Sequence, residues 1–466
     1  MRVRRRPLIH IALVVGASAV ACGGGVSERD QWTVWLTTDA PIPQLADRGL
    51  IDVLDESGSL ACGDCRRQIG LPTDPAGWPI SFGIAAPEGG RPVRLRVRLY
   101  RAGRAGNDGL PSVAATLDAT AALPSPAGNT EVGMVVRAEC IGLASDPATR
   151  LTCTGPERAL GQEKVLERGK PDPSLRPGTW PRAVPAPCEG APEGMVCVPG
   201  GFFVLGDASD TRVSTKVGSS HLEERFVTLS PFALDRDEMR IGVVRGLVNA
   251  NRASAPTLRD PVSSSKYAFC TYLGRDNATN DGLPANCVSF ELAEQLCTAL
   301  GRRLPTEAEW EWAAGNLTEE TRFPWGSLDE PCARADVGLG RDVTDGESPA
   351  CRSQADGPVR PAGLPAVPNP RDVTALGVQQ LAGGVSEWVA DYLSSYISPC
   401  WKPEQPFLTD PRCEQSEAGV RVFRGSSWQE VPGLVSSVSR QGPVPDPKGF
   451  TFIGVRCALS RKAGTP

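Results

Sequence analysis

The chain carries 15 cysteines but only two histidines, His10 and His221. His10 falls in an export signal, so a mature chain keeps one imidazole, too few for a multi-histidine zinc or iron site. A Ser-His-Asp hydrolase would depend on His221 alone. That residue lies in the hydrophilic run Ser219-Ser-His-Leu-Glu-Glu, which reads as an exposed loop. Cys62-Gly-Asp-Cys65 has the spacing of a redox or zinc motif. No second CxxC stands at ribbon spacing and no helix opens beside it, so a structural disulfide is the favoured reading. Arg94, Arg96 and Arg98 alternate with Val93, Leu95, Val97 and Leu99. Three aligned guanidinium groups could bind an anionic lipid or glycan, but the commoner meaning of such a row is the solvated face of an antiparallel sheet.

The cysteines point to a compartment. Met1–Arg6 is positively charged, Leu8–Val20 is apolar, and Ala19-Val20-Ala21-Cys22 resembles a bacterial lipobox with Ala in place of the commoner Leu three positions before the cysteine. The apolar run is too short to span a bilayer. Residues 1–21 therefore read as a lipoprotein signal peptide, and Cys22 as a lipidated N-terminus that attaches the chain to a membrane. An ordinary signal peptide with an incidental thiol is the alternative. Residues 22–30, with Gly23-Gly24-Gly25, form a flexible tether. Gly23, rather than Asp, favours the outer over the inner membrane, facing the periplasm or the exterior. Setting Cys22 aside leaves an even fourteen: Cys62, Cys65, Cys140, Cys153, Cys188, Cys197, Cys270, Cys287, Cys297, Cys332, Cys351, Cys400, Cys413 and Cys457. An oxidising environment would pair them as seven disulfides. Sequence proximity suggests Cys188–Cys197, Cys270–Cys287, Cys332–Cys351 and Cys400–Cys413. Removing Arg2, Arg4, Arg5 and Arg6 with the signal takes the formal charge from −5 to −9. That balance disfavours nucleic acid as a partner.

The elements that position these residues fall into two parts. Residues 31–154 alternate with period two: Trp32–Thr38, Leu50–Leu54, Trp78–Ile84, Val93–Arg101 and Thr130–Arg137 read as strands of an all-β, sandwich-like domain. Residues 155–187 are rich in charge and proline and read as a semi-rigid linker, with a short helix around Arg158–Glu167. In residues 188–466, Ser289 can cap a helix whose Ala293, Leu296, Cys297 and Leu300 share one face and which Gly301 stops. Thr306-Glu-Ala-Glu309 is a capping box opening a second helix, with Trp310, Ala313 and Ala314 on its buried side.

The run Gly301-Arg-Arg-Leu-Pro-Thr-Glu-Ala-Glu-Trp-Glu-Trp312 closely resembles the signature of the formylglycine-generating, or sulfatase-modifying factor, family. Further family landmarks follow in order. Met195–Gly206 is similar to the opening strand pair, and Val227–Met239 to the strand leading into the first helix. Phe323-Pro-Trp-Gly326, Glu387-Trp388, Phe423-Arg-Gly-Ser-Ser-Trp428 and Ile453-Gly-Val-Arg-Cys457 complete the set. The resemblance implies a C-terminal α+β domain with a C-type-lectin-like fold. It also implies a disulfide between Cys297 and Cys457, whose loop of about 160 residues would be worth on the order of 4–5 kcal/mol in the chain-entropy model.

The resemblance does not carry the activity with it. Family members that make formylglycine bind copper(I) through a CxxxxC pair a few residues after the segment matching Arg424-Gly-Ser-Ser-Trp428. No cysteine stands between Cys413 and Cys457. The soft ligands that copper(I) needs are missing there. The family's calcium motif is also altered: Thr374 and Gly384 replace asparagines, Gln380 an aspartate and Ser386 a tryptophan. Glu387 is retained and Asp391 is near, a weak set for a hard cation. A hydrogen-bonding role at a turn is the expectation for Glu387. The iron-oxygenase branch needs a histidine-rich helical domain upstream, where this chain is β-patterned.

These features predict a lipid-anchored cell-envelope protein, non-catalytic and without a cofactor, whose lectin-like domain binds a protein or glycan. The loops Pro256–Asn286 and Leu328–Pro370 are the expected recognition segments. A formylglycine-generating-type oxidoreductase with altered metal ligands and a structural accessory of an envelope secretion or motility assembly are the alternatives.

Overall fold

The structure is a computed structural model. It describes residues 30–87, 91–106, 108–153, 155–207, 223–262, 267–338, 351, 370–416, 418–430, 432–442 and 446–461. Cys22, the triglycine after it and His221 lie outside the described residues. No helix among the described residues is long and apolar enough to cross a membrane.

Among the described residues the N-terminal region contains nine strands: β1 (Gln31–Thr38), β2 (Arg48–Leu54), β3 (Arg66–Gly70), β4 (Ile80–Ala85), β5 (Arg94–Tyr100), β6 (Thr116–Ala122), β7 (Asn129–Val136), β8 (Leu151–Thr152) and β9 (Gly161–Gln162). One sheet has the order β4-β1-β7, with β1 antiparallel to β4 and parallel to β7. The other is fully antiparallel in the order β3-β2-β5-β6. Alternation decides what is buried. Trp32, Val34 and Leu36 from one sheet meet Leu95, Val97, Leu99 and Leu117 from the other in one apolar core.

The outer face of β5 corrects the solvated-face expectation. Arg94 and Arg98 are buried, and each of the three arginines is paired with a carboxylate. Arg96 grips Asp118 on β6 through Nε and Nη2 at 2.9 and 2.6 Å. Arg98 reaches Asp52 on β2 at 2.6 Å, and Arg66 on β3 holds the same carboxylate. Arg94 holds Glu163 through two hydrogen bonds of 2.7 and 2.6 Å. The stripe is an ion-pair ladder rather than an open anion site.

Residues 158–167 form no helix. Gly161 and Gln162 pair with β8, and the amides of Ala122 and Leu166 exchange hydrogen bonds with Lys164 and Ala122 carbonyls. The stretch has too few apolar residues to bury one helical face. It satisfies its backbone along the sheet edges instead. Further on, Trp180 enters the N-terminal core and stacks edge-on against Phe202 at 5.1 Å.

The C-terminal region is built from β10 (Met195–Val198), β11 (Gly201–Leu205), β12 (Arg225–Leu229), β13 (Phe232–Asp235), β14 (Ser386–Tyr392), β15 (Phe407–Thr409), β16 (Arg421–Arg424), β17 (Arg440–Gln441), β18 (Ile453–Gly454) and β19 (Ala458–Ser460). Its helices are α1 (Ile241–Asn249), α2 (Phe290–Ala299), α3 (Glu307–Ala314) and α4 (Pro331–Arg334). Among the described residues the strands form three small sheets, ordered β10-β13-β19, β11-β12-β15 and β17-β16-β14-β18. The opening strands β10 and β11 thus enter different sheets rather than pairing with each other. Ser289 caps α2 by accepting from the Leu292 amide, and Gly301 follows with φ +72°. The Thr306–Glu309 capping box is complete in both directions. α3 has no solvent face: all eight of its residues are buried, including Glu307, Glu309 and Glu311.

Candidate functional site

Three buried glutamates on one short helix need partners, because an unpaired buried charge costs several kcal/mol. Arginines from the last third of the chain supply most of them. Arg440 on β17 donates Nε and Nη2 to Glu307 at 2.6 and 2.9 Å, and Tyr396 donates its hydroxyl to the same carboxylate at 3.1 Å. Arg424 on β16 lies between Glu307 and Glu311 and donates to both. The Gly206 amide donates to the other Glu311 oxygen at 2.6 Å. Glu309 is held by Arg303 at 2.6 and 2.7 Å. Burial pushes the Glu311 carboxyl up from its ordinary value. Burial alone would lower Arg424 and Arg456, but Glu311 and Glu387 respectively carry each above the ordinary arginine value.

Glu387 belongs to a second part of this network. It sits on strand β14, not at a turn, and is 1% exposed. The Trp310 indole donates to one oxygen at 2.5 Å and Arg456 Nε to the other at 2.7 Å. Arg456 also donates to the carbonyls of Asp235, Arg236 and Gln379. A carboxylate committed to a guanidinium and an indole is a poor calcium ligand. Asp391 is also engaged, accepting from the amides of Glu307 and Cys413 at 2.7 and 2.6 Å. Burial, then the neighbouring Glu307, raises its carboxyl to about 7.

The altered calcium motif has a steric explanation at Gly384. This residue has φ +78°, and a Cβ there would collide with Glu238 Oε1. Glu238 is buried and accepts from the Val385 amide at 2.7 Å, while burial holds its carboxyl well above the ordinary range. The space of an asparagine side chain is taken by the Glu238 carboxylate. Close by in the chain, burial raises Asp372 to about 7, and its Oδ2 accepts from the Ala382 amide at 3.0 Å. Among the described residues, no group of three or more His, Cys, Asp or Glu is arranged to hold a metal ion.

Every one of the fourteen cysteines is bonded. The pairs are Cys62–Cys65, Cys140–Cys153, Cys188–Cys197, Cys270–Cys287, Cys297–Cys457, Cys332–Cys351 and Cys400–Cys413. The segment after Arg424, where copper ligands would stand, is filled differently. Trp428 donates its indole N–H to the Thr451 carbonyl at 3.1 Å and meets Phe269 edge-on at 5.3 Å. Val435 is fully buried among Phe323, Ala335, Val337, Cys351 and Ala382. No described thiolate is available to a soft metal.

Open surface lies elsewhere. Clefts of about 520 and 470 Å³ adjoin at Asp410, Arg412 and Glu414, with Arg303, Glu309 and Glu294 along the first. A third, of about 350 Å³, contains Arg421 stacked on Tyr392 at 3.5 Å and on Phe290 at 4.0 Å. The loop Pro256–Asn286 lines none of these three clefts. It is tied down by Asn286, which accepts from the Thr271 amide and donates to the Phe269 and Thr451 carbonyls. The loop Leu328–Pro370 is described only at 328–338, 351 and 370. The first and third clefts were missed in the sequence because their walls come from positions up to 232 residues apart, Leu229 to Arg461 in the first.

Residues 181–461 match the model of the sulfatase-modifying factor enzyme 1-like domain. The chain belongs to that family. It is 28% identical over 321 residues to a hercynine oxygenase of Mycolicibacterium smegmatis, covering 63% of this chain and 65% of the relative. The chain therefore spans just under two thirds of that relative's length. It is 27% identical over 318 residues to a formylglycine-generating enzyme of Streptomyces coelicolor, covering 62% of this chain and 95% of the enzyme. It is 28% identical over 306 residues to an inactive C-alpha-formylglycine-generating enzyme 2 of Mus musculus, covering 58% and 87%. The solved structure of PvdO from Pseudomonas aeruginosa aligns with 59% of this chain and 99% of its own at 20% identity, with a TM-score of 0.42.

Proposed function

We propose that this chain is a non-catalytic member of its family, anchored to the cell envelope through a lipid on Cys22, outer membrane favoured, and binding a protein or glycan through its C-terminal domain. The observation that carries this reading is the state of the cysteines. All fourteen are consumed in disulfides, and the stretch after Arg424 packs Trp428 and Val435 where the copper-binding members carry two thiolates. The buried carboxylates of α3 and β14 are held by arginines and an indole, an arrangement suited to holding a scaffold together rather than to moving a proton or an oxygen. The N-terminal sheets are read as a sandwich that carries this domain away from the membrane. The adjoining clefts at Asp410, Arg412 and Glu414 offer both signs of charge to a polar ligand.

Anaerobic copper(I) titration of the unreduced mature protein tests the catalytic half of the proposal. No stoichiometric binding and no thiolate-to-copper absorption are expected. One tightly held equivalent would restore the oxidoreductase alternative. For the anchor, labelled palmitate should enter the wild-type chain in a bacterial host and be lost in Cys22→Ser, which should also leave the membrane fraction. Equal membrane association of the two would remove the lipid from the reading.

A further inference from the structure

Cys62 is the one cysteine of the fourteen that is exposed, and its partner Cys65 is half-buried. Of the six other bridges, five bury at least one of their two cysteines. The Cys62–Cys65 bridge also constrains least. Its sequence separation is 3, against 160 for Cys297–Cys457, so it removes little freedom from the unfolded chain.

The turn around it stands without it. Between β2 and β3, Asp55 accepts from the amides of Ser57 and Ser59 and from the Ser57 hydroxyl. The Ala61 amide donates to the Val53 carbonyl and the Val53 amide to the Cys65 carbonyl, at 3.0 and 2.8 Å. Arg66 is fixed to Asp52. The β-hairpin is thus closed on both sides of the bridge by bonds that its reduction leaves in place. Arg66 and Arg67 follow directly and are exposed.

We propose that Cys62–Cys65 is a thiol–disulfide exchange site that a dithiol protein or small dithiol can open and close while the fold stays intact. A thiolate of the donor attacks Sγ of Cys62, the S–S bond breaks, and the electron pair leaves on Sγ of Cys65, which takes up a proton. The donor's second thiolate then attacks its own sulfur in the mixed disulfide and releases Cys62, which is protonated in turn. The donor dithiol becomes a disulfide, and the pair gains two electrons and two protons.

Dithiothreitol supplies the test with the folded full-length protein. Aliquots taken during reduction are trapped with N-ethylmaleimide and mapped by peptide mass spectrometry, while tryptophan fluorescence follows the fold. Cys62 and Cys65 should be labelled first, about 10-fold or more ahead of any other pair as exposed bridges are attacked fastest, with fluorescence unchanged. Opening of Cys188–Cys197 or any other pair first would overturn the proposal, as would labelling of Cys62 only in step with a fluorescence change. A Cys65→Ser variant treated with glutathione disulfide should carry one glutathione on Cys62, and a folded variant without that adduct counts against the site.

Discussion

Both regions of the molecule hold arginines against carboxylates, and they do it by different geometries. On the N-terminal sheet all the partners but Glu163 stand on neighbouring strands. Arg66 lies directly across from Asp52, while Arg96 and Arg98 reach diagonally, two residues along, to Asp118 and Asp52. Strand register alone delivers these pairs. In the C-terminal region Glu307 and Glu311 of α3 meet Arg424 and Arg440 across 113 to 133 residues, and they meet because α3 packs against the sheet that carries β16 and β17. Exposure differs as well: the side chain of Arg96 is 21% exposed, that of Arg424 0%. Water reaches Arg66 and Arg96 on the ladder and does not reach Arg424, while Arg94–Glu163 on the same sheet is as buried as the C-terminal pairs. Loss of the half-exposed Arg96 is therefore expected to cost less than loss of a member of the buried network.

That contrast sets the order of expected effects. Glu307→Ala should be the most damaging change, since it leaves Arg424 and Arg440 buried with a partner missing. A loss of about 3–5 kcal/mol in guanidinium unfolding is expected, and a loss below 1 kcal/mol would break the comparison. Gly384→Asn should cost about 3 kcal/mol, from its positive φ and its collision with Glu238. Thermal unfolding with and without Glu238→Ala distinguishes the two causes, because only the collision is relieved by the second substitution.

Asp372→Asn should act in the opposite direction and depend on pH. Burial raises the folded carboxyl to about 7, well above its unfolded value. The raised value favours the protonated folded form, so its stability contribution is present at acid pH and lost as pH rises through 7. The neutral variant should therefore gain about 2 kcal/mol over wild type at pH 8 and nothing at pH 4. A gain of equal size at both pH values would assign the effect to packing. Arg96→Gln, on the ladder, should cost no more than about 1 kcal/mol and lose part of that difference in 1 M salt.

Elements with strong local signals were legible in the sequence. Ser289, Thr306 and Gly301 mark the ends of α2 and α3 through contacts within a few residues. Strand β5 shows in its alternation. Strand β6 did not, because Thr-Leu-Asp-Ala-Thr-Ala-Ala is buried on both faces, its Asp118 side chain answers to Arg96, and the Thr120 amide donates to the Thr152 hydroxyl. The same cause hid the role of α3. Its glutamates look like the solvent face of an amphipathic helix until Arg424 and Arg440 arrive from more than a hundred residues away.

The sequence by itself determined the cysteine parity, the missing thiol pair after Arg424 and the family landmarks, since these are matters of residue identity and order. Only the tertiary structure decided that the Arg94–Arg98 stripe is closed by carboxylates, that Glu387 is bound to Arg456 and Trp310, and that Gly384 makes room for Glu238. The physical reason is common to all three. A charge's role depends on what shares its low-dielectric surroundings, and those neighbours are brought there by folding, not by adjacency along the chain.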